Sequence, residues 1–475
     1  MNAVARTRRV THRLGLLDLM GHISVRSSDG QAAVATPRYG IDVPPPIQTG
    51  PDDIVVVDFD AERRHGRHAP PLDLQIDLAL YRARPEVRAV LLASPPELVA
   101  FGAAKRQLLP VTHYQADLVL EGAAFFGCDG PVRSRDQADS LVREMNGRSV
   151  CHLPGLGVVI AATSLADAVS RLHALEQIAV MNLSALSLCD TPRTVSQHAA
   201  DVLRVEMSAA LERDVAAGYH GAIDASRFYE SFDEPYRGGA DAREQWPDEP
   251  GETNAIRRRV ALACRILDRQ GTLVGYLEHV SHRASTSAPA FAMSPAKRFA
   301  SMLPSDIGLV SMEGDCPPID GPLPPAPFRL YHRDVFDARP TVNAIVHTHE
   351  MYGRALVMGG HTPQPIFRVG AVQASELFRC TVEPSLAFSE QNRRLNVALL
   401  GDGSALHILS HGTDFVAPTL EEAVVDAVQR EQLARINISA ARLGEPKPLS
   451  KRALSELERD GPTYADWWRY YASDT

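Results

Sequence analysis

Short runs rich in β-branched residues alternate along the chain with longer stretches whose apolar residues recur every three or four positions. The runs include "IVVVDF" (Ile54 to Phe59), "VVIAA" (Val158 to Ala162) and "NAIVHTH" (Asn343 to His349). Such runs predict strands, and the longer period predicts helices. The clearest helical stretch is "LEEAVVDAVQREQLARI", Leu420 to Ile436. Thr419 stands just before it, with Glu421 and Glu422 in the first turn, where carboxylates meet the positive end of the helix dipole. Another helical stretch runs from about Ser196 to Ala217. Strands interleaved with helices predict an α/β or α+β domain with a central sheet flanked by helices.

The pattern occurs twice. "GHISVR" (Gly21 to Arg26), "PDDIVVVDFDAE" (Pro51 to Glu62), "ARPEVRAVLLASPPELVAFGAA" (from Ala83) and "LPGLGVVIAATSLADA" (Leu153 to Ala168) form the first series. "EHVSHR" (Glu278 to Arg283), "PSDIGLVSMEGD" (Pro304 to Asp315), "ARPTVNAIVHTHEMYGRAL" (from Ala338) and "LSHGTDFVAPTLEEA" (Leu409 to Ala423) form the second, in the same order. Self-similarity of this kind predicts two tandem homologous domains, residues 1–195 and 251–475. The stretch between them, 196–250, reads as a helix followed by a Pro-, Gly- and acid-rich linker, "SFDEPYRGGADAREQWPDEPGE".

Composition narrows the function classes. The 475 residues exceed what one core serves, and 45% apolar with 23% charged residues is ordinary for a globular protein. A formal charge of −9 gives no reason to expect nucleic acid or an anionic membrane as a partner. No segment approaches the roughly eighteen apolar residues of a membrane span, and the N-terminus scatters arginines where a signal peptide needs an apolar stretch, so a cytoplasmic location is expected. The six cysteines form no C-x-x-C pair, which argues against a disulfide framework or a thiolate zinc site.

The two series differ in chemistry. A strand has side-chain period two, so His347 and His349 share one face with Thr348 on the other. His411, before a glycine at a predicted strand end, can supply a third nitrogen, and three neutral imidazoles leave a divalent metal an open position. The first series has Leu92 and Ser94 in place of the H-x-H pair, and counting motifs puts Pro154 at the third histidine position. One divalent ion per chain is therefore expected, Zn2+ or Fe2+, with Mn2+ compatible.

These elements together resemble the class II aldolase/adducin family, which shares a G-N-I-S-x-R element, an R-P-x-x-x-A-V-V run ending in H-x-H, and an n-H-G strand followed by a T-L-E-E-A helix. The resemblance implies an α/β/α class II aldolase-like fold and His347, His349 and His411 as metal ligands. It implies a carbon–carbon bond-cleaving lyase, of aldolase or decarboxylase type, working through a metal-stabilised enolate on a small-molecule substrate. It also implies ring-shaped oligomers, here a homodimer with a pseudo-tetrameric ring in which the metal-free half walls its partner's pocket.

The sequence departs from the family at several points. Phe328, eleven residues before Arg339, stands where the family has its acid/base glutamate, and "APF" (Ala326 to Phe328) replaces the S-S-E element. "SPAKR" (Ser294 to Arg298) replaces the T-P-S-G turn, and His279 replaces the asparagine of G-N-I-S. A non-phosphorylated carbonyl or carboxylate substrate is thus expected, with Arg283, Lys297, Arg298 and Phe328 as contacts. Glu350 and His332 are the candidate acid/base groups, and in the first half Asp73 aligns with the missing glutamate. The C-terminal "YADWWRYY" (Tyr464 to Tyr471) is a candidate lid or docking helix. An Fe(II)- and O2-dependent oxidative decarboxylase on the same fold, and an adducin-like binding module without catalysis, are the alternative readings.

Overall fold

The computed structural model describes residues 1–128, 130–216, 229, 231–233, 252–273, 275, 277–284, 289–322, 324, 326–375, 378–381, 386–444, 446–473 and 475. Most of the expected 231–252 linker lies outside the described residues. Among these the chain divides into two compact units. The first takes 1–110, 114–180 and 229–233; the second takes 111–113, 181–216 and 252–475.

Each unit is built on an eight-stranded sheet. The first comprises β1 (His22–Arg26), β2 (Ala32–Ala35), β3 (Val55–Asp58), β4 (Arg63–His65), β5 (Ala89–Ala93), β6 (Ala124–Phe125), β7 (Val150–Leu153) and β8 (Gly157–Ala162), in the order β4-β3-β2-β1-β5-β8-β7-β6. The second comprises β9 (His279–Ala284), β10 (Ala290–Met293), β11 (Gly308–Ser311), β12 (Pro318–Asp320), β13 (Ala344–Thr348), β14 (Phe378–Cys380), β15 (Ala405–Ile408) and β16 (Gly412–Ala417). Its order is β12-β11-β10-β9-β13-β16-β15-β14, the same topology. In both, the last pair, β6 with β7 and β14 with β15, is parallel.

Strand alternation sorts the second sheet's residues onto two helical layers. Val280, Val346 and Phe415 pack against the helices Glu252–Arg269 and Leu420–Ala441. Ile345, Leu406 and Val416 pack on the other face against Ala326–Ala338 and Glu390–Leu400. A fully buried aliphatic side chain contributes about 1.5–3 kcal/mol over an exposed one, so each face holds its helices firmly. The helix Leu420–Ala441 starts as expected, with Thr419 Oγ1 accepting the Glu422 N–H at 3.2 Å. The C-terminal helix Tyr464–Ser473 packs Trp467 and Trp468 onto the Val280/Val346 layer. It is a docking helix, on the face opposite the one that carries the histidines.

The repeated Arg-Pro frame has a structural cause. Arg84 Nη1 donates to the Arg148 carbonyl at 2.8 Å, and Arg339 Nη1 donates to the Gly403 carbonyl at the equivalent place, tying each central strand to the loop before its hairpin. The hairpins also correct one expected register. Gly157 and Gly412 each lie where a Cβ would meet a backbone carbonyl at 2.2 Å, that of Ala93 and of Thr348. Leu153 pairs with Gly157 as Ile408 pairs with Gly412. The residue matching His411 is therefore Leu156, not Pro154.

Candidate metal site

The site lies on the face of β13 that bears Ile345, where period two carries His347 and then His349. His411 arrives from the turn between β15 and β16. One nitrogen from each of the three lies within 4.8 Å of the others. Ring centroids are 4.8 Å apart for His347 and His349, 4.8 Å for His347 and His411, and 4.6 Å for His349 and His411.

The surrounding groups settle how the rings present themselves. His347 Nδ1–H donates to Asp414 Oδ1 at 2.7 Å, and the Tyr331 hydroxyl donates to Asp414 Oδ2 at 2.9 Å. Burial and that carboxylate hold the Tyr331 phenol well above its ordinary value, so it stays a donor. The Glu278 carboxylate stands 3.5 Å from His349 Nδ1 and accepts the Gly275 N–H at 2.8 Å. Burial pushes Glu278 upward, but His349 outweighs it and the carboxyl sits below its ordinary value.

With both Nδ1 atoms turned to carboxylates, the two Nε2 lone pairs face each other at 3.2 Å. That is repulsive unless a cation lies between them. Two nitrogens about 2.1 Å from one tetrahedral ion stand about 3.4 Å apart, so the donor set fits a divalent metal. Burial, and repulsion from neighbouring imidazoles, lower His411 well below its ordinary value; burial lowers His349 too, which leaves these rings neutral as ligands must be.

Phe328 stacks on His279 at 4.3 Å, and His279 stacks on His347 at 4.6 Å, so the column runs from the expected glutamate position to the triad. These residues, with Tyr331, Phe388 and His411, line a cavity of ≈ 20 Å³, room for about one water. His332 is fully buried behind it. Its Nδ1 meets Ser281 Oγ at 2.6 Å, and its ring lies edge-on to His279 at 4.6 Å. Among the described residues, His279 Nδ1 and His332 Nε2 have no hydrogen-bond partner.

Several expected site residues lie elsewhere. Glu350 shares the Thr348 face of the strand; it accepts from Thr348 Oγ1 at 3.0 Å and from Thr413 Oγ1, with His407 Nδ1 at 3.4 Å. Burial raises its carboxyl, but His407 and Thr413 bring it down to about 2, so it is a fixed buried anion turned away from the triad. Arg283 donates to the Phe336 and Val342 carbonyls and lies over the Phe336 ring. Lys297 is paired with Asp306 at 2.5 Å, and Arg298 stands near Asp268. None of the three cations lines the cavity. In the first unit Asp73 Oδ1 accepts the Val132 N–H at 2.5 Å and ties down a loop.

Sequence reasoning missed Glu278, Asp414, Tyr331 and His113. Asp414 was within reach, since it follows Gly412 by one strand period and pairs with His347 across β13 and β16.

A family model, the class II aldolase and adducin N-terminal domain, matches residues 2–183 and again 258–438. The chain belongs to this family, as a tandem duplication. It is 30% identical over 220 residues, 44% of the chain, to 88% of 3,4-dihydroxyphthalate decarboxylase from Arthrobacter keyseri. It is 27% identical over 219 residues, 46% of the chain, to 96% of 5-methylthioribulose-1-phosphate/5-deoxyribulose-1-phosphate aldolase from Rhodospirillum rubrum. Among solved structures, an aldolase II superfamily protein from Pseudomonas syringae matches 49% of the chain and 96% of its own length, at 20% identity and TM-score 0.42. No described helix is long and apolar enough to cross a membrane.

Proposed function

We propose that the protein is a metal-dependent decarboxylase or related lyase that breaks a carbon–carbon bond in a non-phosphorylated, carboxylated substrate, with the ion held by His347, His349 and His411. The observation that carries this reading is the pair of Nε2 lone pairs facing at 3.2 Å beside an aromatic column that ends at Phe328. A divalent ion bound there would supply positive charge against the negative charge that develops as the bond breaks. Zn2+, Fe2+ and Mn2+ all accept imidazole ligands.

The chain's own residues favour decarboxylation over aldol chemistry. Aldol cleavage needs a base to take a hydroxyl proton, and the position expected to carry that carboxylate holds Phe328. Decarboxylation needs none: the electron pair of the breaking bond stays on carbon, CO2 leaves, and a proton is then delivered. His279, which lines the cavity, is the candidate to pass that proton, with His332 behind it holding its ring; Glu350 faces the wrong way. Phe328 and Phe388 give the ≈ 20 Å³ cavity aromatic walls, and an aromatic substrate such as the one the decarboxylase relative is named for requires these rings to move aside. The intact triad with its carboxylate partners argues against a purely adducin-like binding role.

The test is CO2 release from hydroxylated aromatic carboxylates, 3,4-dihydroxyphthalate first, by protein loaded air-free with each metal. The assay is repeated with and without oxygen, since oxygen-dependent turnover would favour the Fe(II) oxygenase alternative. Cleavage of a sugar phosphate at an ordinary enzymatic rate, kcat of about 1 per second or more, would overturn the substrate class. A cytoplasmic homodimer completes the proposal; light scattering should find two chains per particle.

A further inference from the structure

Two of the three candidate ligands have a carboxylate at Nδ1; His411 does not. Its Nδ1 meets a fourth imidazole instead, His113 Nε2, at 3.2 Å, with ring centroids 4.5 Å apart. His113 lies in the first half of the sequence, yet the tripeptide 111–113 belongs to the second unit. The geometry points to His113 as the positioning residue of the metal centre, fixing the tautomer and aim of His411.

The hydrogen-bond chain has one consistent direction. The Ser410 carbonyl can only accept, and it stands 3.3 Å from the His113 backbone N and 3.2 Å from His113 Nδ1. His113 therefore carries its proton on Nδ1 and offers a lone pair at Nε2. His411 must then donate from Nδ1, which leaves its Nε2 free for an ion, the same presentation that Asp414 and Glu278 impose on His347 and His349.

Ser410 itself needs holding. It has φ +62, a left-handed conformation that costs a non-glycine residue free energy, and the equivalent first-half residue is Gly155 at φ +85. Both contacts from His113 fall on that residue's carbonyl. A second tie anchors the tripeptide: Arg354 Nη1 reaches Thr112 Oγ1 at 3.3 Å while its Nη2 donates to the His349 carbonyl at 3.1 Å. The backbone of two ligands is thus braced by residues 112 and 113. With an imidazole partner at His411, Asp414 and Glu278 are the carboxylates that stand behind the triad, at the Nδ1 atoms of His347 and His349.

This inference rests on the metal centre proposed above. The experiment measures Zn2+ and Co2+ affinity of the full chain by chelator competition, for wild type, His113→Phe and His113→Gln. Phenylalanine keeps the ring volume and loses both bonds, so affinity should fall about 10- to 100-fold, the usual effect of removing such a partner. Glutamine can accept from His411 and donate to Ser410, so it should stay within about threefold of wild type. If His113→Phe does not fold, His113→Ala takes its place with the same expected loss. Wild-type affinity in a folded Phe or Ala variant, or equal losses in Phe and Gln, would overturn the assignment. Failure of the wild-type protein to bind either ion would instead overturn the metal centre itself.

Discussion

Leu92, Leu156 and Val159 of the first half occupy the positions of His347, His411 and Asp414 in the second, and Gly21 occupies that of Glu278. The strands beneath them pair in the same register, Leu92 with Val159 and His347 with Asp414. The first half has lost the carboxylate partners along with the ligands, and has closed the space: a Cβ on Gly21 would meet the Leu92 carbonyl at 2.7 Å. Where the second half holds the His279 and His332 rings, the first has a buried His22–Asp77 pair at 3.0 Å. Burial lowers the His22 imidazole, but Asp77 outweighs it and holds the ring above its ordinary value. What the halves share is scaffold; the three-histidine cluster is found, among the described residues, only in the second.

The sharpest break in the comparison is to make the second half resemble the first. His347→Ala or His349→Ala should abolish both metal binding and turnover while the fold remains, measured by metal content and circular dichroism. The reverse change, Leu92→His with Ser94→His and Leu156→His, should not create a second centre, because Val159 and Gly21 leave the new rings without carboxylates to aim them. Two ions per chain in that variant would show the carboxylate partners to be dispensable.

A smaller effect is expected from the partner alone. Asp414→Asn keeps an acceptor for His347 but loses the charge that strengthens its hydrogen bond, so metal affinity should drop about 10- to 100-fold without loss of the ligands. Equilibrium dialysis against Zn2+ checks this; unchanged affinity would mean that the Tyr331–Asp414–His347 chain serves packing only.

Much of this was legible from the chain. The doubled frame, the sheet with its helices and the three histidines follow from period and repeat. The Leu156 register was also available, because the offset that matches Leu92 to His347 matches Leu156 to His411; a motif count centred on the wrong glycine pointed to Pro154. Glu350 drew notice by standing next to His349, yet alternation had already put Thr348, and hence Glu350, on the far face. Arg283 and Lys297 stand in the sequence as candidate substrate contacts because nothing local reveals that Phe336, Val342 and Asp306 engage them. His113 was beyond local reading altogether, since it meets His411 across 298 residues of sequence.

The smallest expected effect concerns a device common to both halves, which tests whether shared features are structural. Glu176 accepts the Glu97 and Leu98 N–H groups at 3.2 and 3.0 Å, and Glu431 accepts those of Tyr352 and Gly353 at 2.8 Å each, at the start of equivalent helices. Burial raises both carboxyls from the ordinary 4.5, Glu176 to about 8 with help from Glu97, and Glu431 to about 7 with help from Glu350. An acid whose folded value is raised binds its proton more tightly when folded. Its contribution to stability is therefore present below pH 4.5 and is lost as pH rises, to about 7 for Glu431 and about 8 for Glu176. Glutamine cannot titrate, so Glu176→Gln and Glu431→Gln should each flatten the fall in stability between pH 5 and pH 8, by on the order of 1–3 kcal/mol. Urea unfolding at the two pH values reads the difference. Flattening in both variants is expected of scaffold; a pH slope unchanged from wild type would mean that both carboxylates stay ionised, held by the helix N-termini against their burial.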